Sequence, residues 1–243
     1  MKTTKEILAQ ITTTREKIGK INERAKVLYD DRKFDLTNLK GKSESEKEDF
    51  KKEYDRINAE IVKISSEKEV QEEKLHILTS NYRIALYAES MPIIAEILTK
   101  YANKKIGSKT EEKIRNEITE KLPDIWFYFS KGYDYNRPYI GIDDKNRVLG
   151  HGKHIEVRFW HDTPMFDDDG KLNMLDMEYI DKAAPSTYKP DYYVENPTEY
   201  AENIITEKQA IEEEYKKLSS RVSAFNSMCR NVNGNYWHVT LNK

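Results

Sequence analysis

Ile7, Ile11, Thr14, Ile18, Ile21, Ala25 and Leu28 recur at alternating steps of four and three, separated mostly by Lys, Glu, Arg and Thr. That is the a/d seam of a heptad repeat with a solvated outer surface. A helix with so narrow an apolar stripe gains too little from its own hydrogen bonds to stand alone. It has to pack against another helix of the same period, and the chain offers two. In the first, Phe50, Tyr54, Ile57, Ile61 and Ile64 keep the rhythm, polar residues interrupt it, and Leu75, Leu78, Tyr82 and Ala85 resume it. The interruption is consistent with a stutter or local unwinding. In the second, Ile204, Ile211, Tyr215, Leu218, Val222, Phe225 and Cys229 step by fours and threes after one gap.

The first helix is expected over 4–34. Gly41 is the turn residue of the break over 35–42, and Ser43 followed by Glu46 reads as a capping box for the next helix. So short a connection makes residues 1–88 an antiparallel coiled-coil hairpin. Pro92 marks a new start, since proline is tolerated in a first helical turn. Short helices are expected over 91–103 and 108–122, the second capped by Ser108 or Thr110, with Ile114, Ile118 and Leu122 on one stripe. From Asp124 the apolar period falls to two, which predicts strands near 124–129, 138–142 and 154–161. A long acidic loop covers 162–197, with one helical turn within 172–180. Asn196-Pro197-Thr198 opens the last long helix, and residues 235–241 read as a final strand that closes the head.

The expected fold is therefore α+β and mainly α. A helical hairpin (1–88) and a long C-terminal helix with its strand (198–243) attach to an α+β head (89–197). The head carries a small mixed or antiparallel sheet of about four strands.

Apolar residues make up 37% of the 243 and charged residues 35%, with mean hydropathy −0.86. That is lean for a compact globule and ordinary for exposed coiled-coil helices. A net charge of −2 gives no general attraction to nucleic acid or anionic membrane. The distribution is uneven: residues 1–35 carry nine basic and six acidic side chains, residues 123–197 nine basic and fourteen acidic, a balance of −5. The single cysteine, Cys229, rules out an intramolecular disulfide and a Cys-rich metal site and fits a reducing compartment. No apolar run approaches the roughly 20 residues of a membrane span, and a soluble, cytoplasmic protein is expected. P-loop, dinucleotide fingerprint, serine elbow, HExxH and Cys-based zinc spacings are absent, and no cofactor is implied.

Three constellations are left to carry function. Tyr133, Tyr135, Tyr139, Tyr188, Tyr192 and Tyr193 stand among Asp167, Asp168, Asp169 and Asp191. Tyrosine supplies rigid, amphipathic contact area at low entropic cost, and among carboxylates it makes a surface for a basic partner. Trp126, Tyr128, Trp160 and Tyr236 share the parity that would place them on one sheet face with Arg158. Rings interleaved with cations form a stacking platform for single-stranded nucleic acid. The local acidity opposes phosphate, and large aromatics are mostly core residues. Both sheet faces are therefore expected to be covered, one by the helices of 91–122 and the other by a long helix. Third, if the strand at 154–161 neighbours the last strand, His154, Glu156, Arg158 and His238 come together. Such a cluster is capable of acid–base chemistry on an anionic transition state, although no motif fixes a nucleophile.

Metal binding is not expected. His154 and His161 should point to opposite faces, and Asp167-Asp168-Asp169-Gly170 lacks the first and twelfth ligands of a calcium loop and reads as a polar turn. Residues 93–120 loosely match a helix-turn-helix, but their charges balance and leave no basic face for DNA.

The expected function is that of a non-enzymatic interaction protein whose acidic, Tyr-rich head engages a basic protein partner. Its chemistry suits an inhibitor or adaptor of nucleic-acid-handling machinery, such as a phage anti-defence or anti-CRISPR-type protein. Direct binding of single-stranded nucleic acid is the second reading, and a hydrolase the third. The heptad helices allow either a three-helix monomer or a homodimer.

Overall fold

The computed structural model describes residues 1–32, 41–130, 138–150, 154–183 and 192–233, with backbone only for residues 32 and 229–233. Among them run α1 (Thr4–Arg32), α2 (Glu44–Thr99), α3 (Ser108–Lys121), β1 (Ile125–Ser130), β2 (Tyr139–Asp144), β3 (Ile155–Arg158), α4 (Met177–Ala183) and α5 (Pro197–Asn233). The class is α+β and mainly α, as the periodicities require. Three strands are described where about four were expected; the fourth, 235–241, lies outside the described residues. The elements gather into two compact units, Met1–Gly19 with Leu75–Glu195 and Lys20–Lys74 with Asn196–Lys243.

The heptad seam is the buried side of α1 and α2. In the first unit Ile7, Ile11 and Thr14 of α1 and Leu78, Tyr82 and Ala85 of α2 are buried; in the second, Ile21 of α1 and Ile57, Ile61 and Ile64 of α2. Thr14 satisfies its hydroxyl by donating to the Gln10 carbonyl at 2.8 Å. The antiparallel register is pinned in the first unit by Thr4, whose amide and hydroxyl donate to Glu89 at 2.9 and 2.6 Å. In the second unit Arg24 meets Glu67 at 3.3 Å. No stutter is needed in α2. Ile64, Lys68, Gln71 and Leu75 keep the four–three steps, so two half-buried polar residues fill seam positions and the phase is retained.

Helix starts follow their caps. Ser43 and Glu46 form the expected capping box, each bonding the other's amide, at 2.7 and 3.4 Å. Thr3 and Glu6 form another ahead of α1. Asn196 receives the Glu199 amide at 3.5 Å, with Pro197 as the first residue of α5, where its missing N–H is no loss. Two expectations fail. Gly107, not Ser108 or Thr110, stands at the N-cap of α3. And Pro92 does not begin a separate helix over 91–103: α2 runs through it to Thr99. Proline removes one backbone bond there, but Met91, Ile94, Ala95, Ile97 and Leu98 are all buried around it. Packing of that density overrides the local preference.

The sheet has the order β1-β2-β3, both pairs antiparallel. Its inner face holds Ile125, Phe127 and Phe129, then Ile140 and Ile142, then Ile155 and Val157, all buried in one cluster with Ile114 and Ile118 of α3 and Ile180 of α4. The stretch expected as an acidic loop is not a mere surface excursion. Met165, Leu172 and Leu175 are buried in the same cluster, and the helical turn expected within 172–180 is α4.

Candidate functional site

Strict alternation sends every Ile, Val and Phe of the strands inward, and the register decides what faces out. Trp126 lies opposite Asp143, Tyr128 opposite Gly141, and Ser130 opposite Tyr139; across the next pair Gly141 lies opposite Glu156 and Tyr139 opposite Arg158. Trp126, Tyr128 and, beyond β3, Trp160 remain 40–50% exposed. The expectation that both faces are covered is thus wrong. The apolar residues that demand a helical cover all lie on the inner face, so nothing recruits a second layer.

Gly141 makes a notch in the middle of the outer face. A Cβ there would stand 3.1 Å from the Tyr128 Cβ and 3.3 Å from His154 Cδ2. The two rings close over the notch with centroids 5.8 Å apart, and His154 stacks on Tyr139 at 6.2 Å. The Arg158 guanidinium sits 5.6 Å from the Tyr139 ring centroid. Glu156 lies between two neighbours: one oxygen approaches His154 Nε2 at 2.7 Å, the other pairs with Arg158. The histidine contact is at ion-pair distance but out of hydrogen-bond alignment, since Nε2 is buried with no aligned acceptor. Burial pushes the Asp143 carboxyl up from its ordinary value, against a hydrogen bond from the Asp144 amide.

His154, Glu156 and Arg158 therefore lie together at alternate positions of one strand and the residue before it, with Glu156 paired to Arg158 and His154 Nε2 left without an aligned acceptor. His238 and Tyr236, assigned to the same face, lie outside the described residues. The geometry is that of a Glu156–Arg158 ion pair with His154 beside it, on an aromatic floor.

Beside the Arg158 end of this face opens a groove of about 460 Å³, lined by Pro138, Phe159, Trp160, His161, Pro164, Met165, Phe166, Asp167, Asp168 and Asn173. The chain turns back after β3 through a Trp160–Thr163 bridge, and a second bridge joins Phe166 to Leu172. Between them Asp167 accepts the Lys171 amide at 2.7 Å, and Gly170 takes φ +72°, a conformation that favours glycine. Asp169 pairs with Lys171 at 3.0 Å. The three aspartates thus divide: Asp167 closes the turn, Asp169 is neutralised beside it, and Asp168 is exposed at the rim of the groove.

Of the tyrosines assigned to a partner surface, Tyr139 belongs to the sheet face. Tyr192 is exposed, and Tyr193 packs on the core with its hydroxyl accepting the Lys2 amide at 3.1 Å. Tyr133, Tyr135, Tyr188 and Asp191 lie outside the described residues. What sequence reasoning separated, the fold joins: Trp160, placed on a nucleic-acid face, and Asp167 and Asp168, placed on a partner surface, line one groove. The only local signal for that turn was His161-Asp162-Thr163-Pro164. Gly141 was also missed, although a glycine inside a strand marks a close approach.

No family model, curated protein or solved structure matches this chain. Among the described residues no group of three His, Cys, Asp or Glu side chains is placed to hold a metal ion. Among the same residues no helix is long and apolar enough to cross a membrane.

Proposed function

We propose that this protein is a non-enzymatic binding protein whose sheet-bearing unit docks a basic protein partner. One observation carries the reading: a half-exposed indole, Trp160, and the carboxylates of Asp167 and Asp168 line the same groove. A partner's guanidinium or ammonium can lie on the indole face while its N–H donors reach Asp168. The exposed Trp126 and Tyr128 extend the contact with residue types that dominate binding energy at interfaces. The balance of −5 over residues 123–197 steers a cationic surface toward this face. A protein that itself holds polyanions has such a surface. The finer reading is therefore an inhibitor or adaptor that competes with phosphate on nucleic-acid-handling machinery, as a phage anti-defence protein would.

Titration of a labelled oligo-arginine peptide, followed by fluorescence anisotropy, tests this. Saturable binding is expected, weakened about tenfold by Trp160→Ala and several-fold by Asp168→Asn. Asp167 is left intact because its carboxylate closes the turn. No binding, or binding indifferent to both substitutions, would refute the proposal.

Exposure of Trp126 and Tyr128 on the sheet face that also carries Arg158 supports the second reading, a stacking platform for single strands. Against it, Arg158 is paired with Glu156, which leaves little free positive charge for phosphate. Oligo-dT binding that is lost in Trp126→Ala and Arg158→Ala, in the absence of peptide binding, would favour the platform instead.

A further inference from the structure

In the second unit α5 keeps a heptad stripe that nothing described covers. Its first turns are anchored: Ala201 and Ile205 are buried, and Lys208 and Gln209 reach Glu69 and Ser66 of α2 at 3.5 and 3.0 Å. Beyond Gln209 none of its described side chains is buried. Yet Ile204, Ile211, Tyr215, Leu218 and Phe225 each leave 36–58% of their surface exposed, and Val222 completes their four–three spacing. At 100° per residue this stripe lies about a third of a turn from the Ala201–Ile205–Gln209 side. Covering it need not displace α2.

We propose that the stripe is covered by α5 of a second copy of this chain, running antiparallel. With Tyr215 and Val222 at a and Ile211, Leu218 and Phe225 at d, Tyr215 faces the second copy's Leu218 and Ile211 its Val222. In that register Glu214 of each helix lies beside Arg221 of the other, and two-fold symmetry makes the pair twice. Parallel, in-register pairing sets Glu207 against Glu212 and brings no opposite charges together. Charge complementarity therefore selects the antiparallel arrangement. Lys208, the polar a position, is engaged with Glu69 and lies at the edge of the paired segment. The inference is independent of the groove on the first unit.

Sedimentation equilibrium of the full chain over about 1–100 µM tests it, because dimerisation follows mass action. The expected mass is twice the 28.7 kDa of one chain at the upper end of that range. Leu218→Glu should return the single-chain mass with unchanged helical circular dichroism, since Leu218 is 43% exposed and is not among the described residues packed on the core. Arg221→Glu should raise the dimer Kd about tenfold, and adding Glu214→Arg should restore it to within about threefold. A single-chain mass throughout would overturn the proposal, as would a dimer that survives Leu218→Glu. Failure of the double reversal to rescue would overturn the antiparallel register.

Discussion

The Asn81 side chain is buried in α2, donates to the Val194 carbonyl at 2.8 Å and accepts the Val194 amide at 3.0 Å. One amide thereby fastens the segment that precedes α5. Asn81→Ala leaves both Val194 groups without their partner and should cost about 2 kcal/mol, read as a lower urea midpoint at constant slope. One residue further on, burial, reinforced by the Asp144 carboxylate, pushes the Tyr82 hydroxyl up from 10.0 to about 12. Asp144 cannot move away, because its carboxylate accepts the Val148 amide at 3.1 Å. The unfolded chain releases this proton near its ordinary value and the folded chain holds it longer. Stability from this group is thus complete below about pH 10 and falls as pH rises toward about 12, by up to about 1.4 kcal/mol per unit. Tyr82→Phe should flatten that alkaline loss relative to the parent in pH-dependent urea unfolding. An identical slope in both would assign the loss elsewhere.

At the scale of elements, what depends on period was legible and what depends on tertiary packing was not. The seams of α1 and α2, the Ser43–Glu46 box, the Asn196-Pro197 start and the parity of β1 all follow from spacing alone. Pro92 misled because a local preference of a few kcal/mol was outweighed by five buried neighbours. The groove was illegible because Trp160 and Asp168 meet only through a reversal whose geometry is fixed by the burial of Met165 and Leu172. The polar stretch of α2 was visible but misread: the seam does not slip, it carries Lys68 and Gln71. Gln71 Oε1 is buried with no hydrogen-bond partner. Gln71→Leu, which restores an apolar residue to that seam position and removes the unsatisfied oxygen, should stabilise the protein by about 1 kcal/mol in urea unfolding. A destabilised variant would mean that the amide has a role beyond the seam.

Across the whole molecule, a net charge of −2 conceals two surfaces of opposite physical kind. The groove and the chain around it are acidic, with −5 over residues 123–197, whereas the open stripe of α5 is apolar, flanked by Glu207, Glu212, Glu214 and Arg221. Screening acts on the first far more than on the second, because exposed charges lose their reach once the Debye length falls to a few ångströms. Raising salt from about 0.05 to 0.5 M should therefore weaken oligo-arginine binding at least about tenfold, mainly through slower association. The same change should leave the α5 dimer constant within about threefold, since its layers are apolar and only two edge pairs are screened. Anisotropy and sedimentation on one preparation read both. Peptide binding that ignores salt would place its energy in Trp160 and the rings, not in the carboxylates. A dimer that dissociates in salt would mean that Glu214 and Arg221 hold the helices together and the stripe does not. The two surfaces differ in what they ask of solvent, and that difference is what lets one titration separate them.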